Sequence, residues 1–312
     1  MKVLRIGTRG SALALWQANF IRDQLAERQR VTAEIIVVKT SGDKFQESAI
    51  GQMGLKGVFI KELEDALLDG RVDLAVHSMK DVPTELPGGL LISAITKRDE
   101  ARDCIVARGG EKLDELKSGA RVGTSSLRRQ SQLRHYRSDL DVRDLRGNVD
   151  TRIRKLDAGN FDAIVLAKAG LDRLGLGGRA TEVLDPKVML PAVGQGALGI
   201  ETRADDAETI GIVRDFDDEE ARPCVTAERA LLAELQGGCQ VPLGAWAHID
   251  AGELHIVAAV LSVDGVECVR GDACGAISSA KTIGRELGRR LLNSGADKIL
   301  QIAGRVTGGA AS

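Results

Sequence analysis

Through its first 170 residues the 312-residue chain alternates short apolar runs with longer stretches whose apolar residues recur at helical spacing. That alternation restricts the chain to α/β architectures, in which crossover helices return the chain to the same end of a sheet. Residues 3–7 and 33–39 read as strands, with a helix over 12–30 between them. Over 56–69, Phe59, Leu63, Ala66 and Leu67 form one stripe opposite Lys61, Glu62, Glu64 and Asp65, and Gly70 is placed to end the helix. A strand over 73–77 runs into the polar turn Ser78-Met79-Lys80-Asp81-Val82-Pro83, and open α/β sheets bind ligands at such strand ends. Past the charge-dense connector 97–103, strands are expected over 104–107, 121–123, 141–145 and 162–167, and 191–199 suits a return to the first lobe. No internal sequence repeat accompanies the restart.

The character changes near residue 215. A helix over 219–235 precedes alternating segments over 245–249, 253–261 and 266–270, with a hairpin signal at Asp264-Gly265 and a last helix over 277–293. The expected fold class is therefore α/β, with two lobes followed by a small α+β domain built on a three-stranded antiparallel sheet. The expected boundaries are 1–97 with 195–214 for domain 1, 98–194 for domain 2, and 215–312 for domain 3.

Charge narrows the function. With 43 Lys and Arg against 45 Asp and Glu, the net charge of −2 lacks the basic surplus that nonspecific nucleic-acid binding requires. Two Trp, one Tyr and five Phe are too few for a base-stacking platform. No apolar run reaches membrane-spanning length and the first residues carry no signal-like apolar stretch, so a cytoplasmic protein without a membrane partner is expected. Five scattered cysteines suit free thiols in a reducing compartment. With four histidines and no close ligand spacing, no metal site is expected.

The local exception lies between residues 121 and 154, where nine arginines, no lysine and four aspartates leave a surplus of five positive charges. The planar guanidinium grips a carboxylate or phosphate through two parallel hydrogen bonds, which a lysine cannot do. Gly123-Thr124-Ser125-Ser126-Leu127-Arg128-Arg129 reads as strand, turn and helix start, with Thr124, Ser125 or Ser126 able to cap. Positive charge in a first helical turn opposes the helix dipole, a conflict that a bound anion would remove. A solvated arginine face is the alternative. Thr8-Arg9-Gly10-Ser11, between the first strand and helix, is a second candidate anion cradle. In the 77–83 turn, Asp81 can be read as one member of a structural ion pair or as a catalytic carboxylate that stabilises a developing cation. Cys239, in Gly237-Gly238-Cys239-Gln240, sits on a loop open enough for modification, although a lone cysteine is commonly an inert buried residue.

Taken in order, Arg5-Ile6-Gly7-Thr8-Arg9-Gly10-Ser11, His77 to Pro83, Gly123 to Arg129, Leu145-Arg146-Gly147-Asn148-Val149 and Gly237-Gly238-Cys239-Gln240 resemble the porphobilinogen deaminase (hydroxymethylbilane synthase) family across nearly the whole chain. The resemblance implies a monomeric transferase of heme and other tetrapyrrole biosynthesis, with two periplasmic-binding-protein-like lobes around a cleft and a third domain carrying the cofactor. It implies head-to-tail condensation of four porphobilinogen molecules onto a covalent dipyrromethane primer, loss of ammonia at each addition, and hydrolytic release of hydroxymethylbilane. By similarity, Cys239 holds the dipyrromethane through a thioether, and Asp81 stabilises the cationic azafulvene formed when ammonia leaves. Arg9, Ser11, Lys80, Ser126, Arg128, Arg129, Arg146 and Arg152 bind the acetate and propionate groups. Lys56, Phe59, Ser78, Thr124, Arg173 and Gln195 are further candidates, while Gln52 stands where the family often has a second loop lysine. Two alternatives remain at this level: a non-catalytic anion-binding or ligand-sensing protein, and a phosphate-handling transferase, which lacks a Walker-type loop here.

Overall fold

The structure is a computed structural model that describes residues 3–39, 60–235 and 241–308. Two compact units emerge, Met1–Asp99 with Ala197–Arg222 and Glu100–Gly196 with Pro223–Ser312.

In the first unit a five-stranded sheet has the order β2-β1-β3-β10-β4. Its strands are β1 (Leu4–Thr8), β2 (Ala33–Val37), β3 (Leu74–Ser78), β4 (Leu90–Ile95) and β10 (Leu198–Arg203). β1 runs parallel to β2 and β3, whereas β10 is antiparallel to both β3 and β4. Leu4, Ile6, Leu74, Val76 and Ile200 pack against Ala18, Ile21 and Leu25 of α1 (Ala12–Gln29). The Ser11 hydroxyl caps this helix by accepting from the Ala14 N–H at 3.3 Å, and Arg30 ends it in the left-handed region. The expected helix over 56–69 appears as α2 (Lys61–Leu68), and its first part lies outside the described residues.

The second unit repeats that plan in its first sheet. β5 (Asp103–Ala107), β6 (Arg121–Gly123), β7 (Asp141–Arg143), β8 (Ala163–Ala167) and β9 (Glu182–Val183) lie in the order β7-β6-β8-β5-β9. Again three strands are parallel, and an antiparallel strand, β5, separates the third from the edge. The same clasp recurs in both sheets. Arg5 donates its backbone N–H and guanidinium to Asp73, just before β3, at 2.8–3.0 Å. Arg121 does the same to Asp162, just before β8, at 2.9–3.1 Å. An architectural repeat is thus present where no sequence repeat is visible, because topology depends on where apolar runs fall rather than on which residues fill them.

The same unit holds a three-stranded antiparallel sheet of β11 (Leu243–Asp250), β12 (Glu253–Leu261) and β13 (Cys268–Ala276). The strand expected over 266–270 begins two residues later and runs further. Ser262 donates its N–H to Glu267 O, so the connection is longer than a two-residue hairpin turn. Gly265 adopts φ +81°, and an added Cβ would stand 2.6 Å from the His135 backbone nitrogen, so only glycine permits this approach. The expected helices over 219–235 and 277–293 are α7 (Ala221–Glu234) and α8 (Ala280–Leu291), the latter preceded by a turn of 3₁₀-helix. They share a core with the sheet through Leu231, Ile256, Ala258 and Leu287. The helix start read at 123–129 is α3 (Leu127–Tyr136), whereas the sequence reading passed over β4, β10, α4 (Val149–Asp157), α5 (Lys168–Arg173), α6 (Ala207–Val213) and the final helix α9 (Asp297–Gly308).

α8 approaches α7 at Gly284, where a Cβ would stand 2.1 Å from Ala227 O. Gly284→Ala should therefore force the helices apart and cost at least about 1–3 kcal/mol as overpacking. Gly304→Ala, with open space around it, should be neutral or slightly stabilising. Denaturant unfolding of the two variants provides the check.

Candidate active site

Two groups of the expected residues lie at carboxyl ends of parallel strands, one group in each unit. In the first unit, β1 and β3 are parallel neighbours, so the turns that follow them lie side by side. Arg9 and Ser11 follow β1; Ser78 ends β3, and Lys80 and Asp81 follow it on a short 3₁₀ turn, Met79–Asp81. Asp81 is exposed, whereas Met79 is buried beneath it and anchors the turn by donating its N–H to Ala197 O at 3.0 Å. Gln17 of α1 is buried and donates to Ser78 Oγ at 2.8 Å, fixing the approach to the turn. His77 points to the other side, into a buried contact of 2.9 Å with Glu201.

In the second unit, Ser126 occupies the N-cap position of α3, but its side chain makes no capping bond. Thr124 is buried, and its hydroxyl accepts from the Ser126 N–H at 3.3 Å; the Ser125 hydroxyl is buried without a hydrogen-bond partner. Arg128 and Arg129 are 5% and 6% exposed, so these two are not part of a solvated arginine face, whereas Arg143, Arg146 and Arg154 are exposed. The anion that offsets their charge in the first helical turn belongs to the protein. It is Asp103, fully buried at the start of β5, whose Oδ2 accepts from Arg128 Nη1 at 2.7 Å and whose Oδ1 accepts from Arg129 Nη2 at 2.8 Å. Gln195 adds a third donor at 2.8 Å. Burial alone would raise the Asp103 carboxyl, but the charges and hydrogen bonds of the two guanidiniums outweigh it and hold the group well below the usual carboxylate range.

Two guanidiniums against one carboxylate leave the cluster with a positive charge, and donors remain unspent. Arg128 Nη1 also donates to Leu190 O at 2.6 Å, while its Nε and Nη2 take no partner among the described residues. Arg129 Nη1 donates to Val165 O at 3.1 Å, and its Nε is buried without a partner. Arg152 of α4 adds a third guanidinium, lowered to about 10 by burial and by the charge of Arg129, and so still cationic at neutral pH. It is steadied by one bond, Nε to Gly147 O at 2.8 Å. Gly147 has φ +116° and carries the turn that separates Arg146 from α4. Arg146 is exposed. Arg173 is buried and donates to Gly196 O at 2.7 Å. The donor set suits a ligand bearing several carboxylates: unpartnered guanidinium edges, an orphaned Nε and an orphaned hydroxyl, all awaiting acceptors.

Cys239, Lys56, Phe59 and Gln52 lie outside the described residues. Cys104, Cys224, Cys268 and Cys274 form no disulfide, and burial pushes the Cys104 thiol up to about 12. Among the described residues no group of His, Cys, Asp and Glu could hold a metal, and no helix is long and apolar enough to cross a membrane.

Two family models match, "Porphobilinogen deaminase, dipyromethane cofactor binding domain" over residues 4–211 and "Porphobilinogen deaminase, C-terminal domain" over 223–293. The chain belongs to the porphobilinogen deaminase family. Porphobilinogen deaminases from Syntrophobacter fumaroxidans and Pelobacter propionicus are 50% and 49% identical to it over 96% of this chain, covering 97% and 96% of their own lengths. That of Desulforudis audaxviator is 52% identical over 95% of this chain and 96% of its own. Among solved structures, the methionine-binding protein MetQ aligns with a TM-score of 0.44 at 14% identity, over 68% of this chain and 88% of that one. The arginine-bearing turns and the 77–83 turn both fall within the dipyrromethane cofactor binding domain of the family.

The residue that sequence reasoning missed is Asp103. It was absorbed into the charged connector, although the connector ends at Arg102 and Asp103 already belongs to β5. An acidic residue opening the buried run Cys104 to Ala107 was the available signal. Because its folded-state carboxyl titrates below an unfolded value of roughly 3.9, its contribution to stability is fully present above that pH and is lost as pH falls towards the folded value. Asp103→Asn should cost on the order of 3–5 kcal/mol at pH 7, as a buried pair broken on one side. The gap to wild type should narrow as pH drops below about 4, which thermal unfolding across pH would reveal.

Proposed function

We propose that this chain joins four porphobilinogen molecules head to tail on a covalently held dipyrromethane primer, releases ammonia at each addition, and frees hydroxymethylbilane by hydrolysis. The observation that carries the reading is the set of unspent guanidinium donors on Arg128, Arg129 and Arg152, within a chain of this family. Acetate and propionate substituents on each pyrrole need bidentate partners, and buried arginines meet that need at low entropic cost. When bound, the dipyrromethane supplies the pyrrole carbon on which the first substrate ring is joined.

The roles follow from chemistry. Arg128, Arg129, Arg152 and Arg146 take substrate carboxylates in the second unit, with Ser126 and Thr124 offering donors beside them; Arg173 and Gln195 support this group through their bonds at 195–196. In the first unit, Arg9, Ser11 and Lys80 take acidic substituents. Ser78 shapes the turn, and Lys56 and Phe59 extend the set. Asp81, on its exposed 3₁₀ turn, accepts pyrrole N–H groups and stabilises the cation left when ammonia departs, where an oriented carboxylate acts on charge as it develops. Cys239 is a tether and not a turnover nucleophile. The reading carries with it a cytoplasmic monomer of three domains, with 215–312 as the cofactor-attachment domain.

Purified from a host that makes porphobilinogen, the protein should be heavier than its sequence by one dipyrromethane unit, with the excess on the peptide containing Cys239. Bare polypeptide by intact mass would favour the ligand-sensing alternative. Asp81→Asn should keep the fold and substrate binding while lowering kcat on the order of a hundredfold or more. Turnover at the wild-type rate would remove Asp81 from its role.

A further inference from the structure

We propose that Asp103 is a positioning residue: its two carboxylate oxygens fix the guanidiniums of Arg128 and Arg129 so that their unspent edges are preset for the carboxylates of the ligand. The inference rests on the proposed function and deepens it. Asp103 acts through the two arginines it holds.

Strand alternation in β5 puts Asp103 on the same face as Ile105 and Ala107, whose side chains share a core with Leu133 of α3. The backbone of Asp103 is pinned on both sides, in register with Ala167 of β8 and accepting from the Leu184 N–H at 2.9 Å. Its side chain is therefore delivered to the N-terminal turn of α3 by a strand paired on both sides. Each oxygen takes one guanidinium, Oδ2 that of Arg128 and Oδ1 that of Arg129. Backbone carbonyls complete the fixing, Leu190 O for Arg128 and Val165 O for Arg129. A guanidinium has five donors in one plane. Once Nη1 of Arg128 is held by two acceptors, the plane is set, and the edge formed by Nε and Nη2 has one direction. That edge is the one a carboxylate grips side-on.

Charge leads to the same conclusion. An uncompensated pair of buried arginines would repel each other and swing towards water, whereas a second buried carboxylate would neutralise the cluster and remove its affinity for anions. A single aspartate between two arginines does neither. Burial lowers Arg128, and Asp103 offsets part of that effect. Gln195 reinforces the arrangement: its Nε2 donates both to Asp103 Oδ1 at 2.8 Å and to Ala101 O at 2.7 Å, which restrains the carboxylate without adding charge.

The test uses holoenzyme and reads KM against kcat for porphobilinogen in wild type, Asp103→Asn and Ile105→Val, at a temperature where all three are folded by circular dichroism. Ile105 shares the strand and the core but has no polar group to bond an arginine, so it reports the consequence of simple destabilisation. Asp103→Asn should raise KM on the order of tenfold to a hundredfold with a much smaller change in kcat, while Ile105→Val leaves KM unchanged. The Nε–H resonances of Arg128 and Arg129 in nitrogen-15 spectra should lose their distinct shifts in the Asn variant alone. A folded Asn variant that fails to load its cofactor while the Val control loads normally is the same loss in stronger form. Where the Asn variant does not fold, Asp103→Glu keeps the charge but moves the oxygens by one methylene, and should show an intermediate KM. The proposal is overturned by a folded, loaded Asn variant or by a Glu variant with KM within about twofold of wild type, or by an equal KM rise in the Val control. Absence of turnover in the wild-type holoenzyme would instead sink the proposed function.

Discussion

A carboxylate without access to water lies between two guanidiniums, and the character of the candidate site follows from that contact. An ionised group can be buried only when charge and hydrogen bonds replace the lost hydration. Asp103 receives both, from Arg128, Arg129 and Gln195. Each arginine is held in turn by a carboxylate and a main-chain carbonyl. The result is a positively charged cluster that is ordered before any ligand arrives. Recognition of an acidic ligand then costs little side-chain entropy, which a lysine patch on a mobile surface could not achieve.

The sheets make such a cluster possible. In both five-stranded sheets, parallel strands bring successive turns to one edge, where backbone N–H groups and helix starts are available to anions. The Arg–Asp clasps, Arg5 with Asp73 and Arg121 with Asp162, tie β1 to β3 and β6 to β8. The 3₁₀ turn that carries Lys80 and Asp81 is anchored beneath by buried Met79, so an exposed acid rests on a fixed base.

Much of the fold was legible in the chain. Periodicity located β1, α1, β6, β12, α7 and α8 to within a few residues, because apolar spacing is a property of each segment alone. β10, Leu198–Arg203, escaped because it carries Glu201 and Thr202 in buried positions where a strand pattern shows apolar residues. Those polar side chains are acceptable only because partners from elsewhere satisfy them, His77 for Glu201 and Ser93 for Thr202.

By itself, the sequence determined the α/β alternation, the concentration of arginine between 121 and 154, the order of the five motifs, and hence the family. These depend on composition and local spacing, which the chain carries without folding. Only the tertiary structure decided that Arg128 and Arg129 are buried, and that their charge is met by an aspartate 25 and 26 residues earlier in the chain. A salt bridge from a strand to a helix depends on sheet order and on which face of the strand meets which turn of the helix. No local pattern encodes either, so Asp103 reads as one more charge in a connector until β5 places it beneath α3.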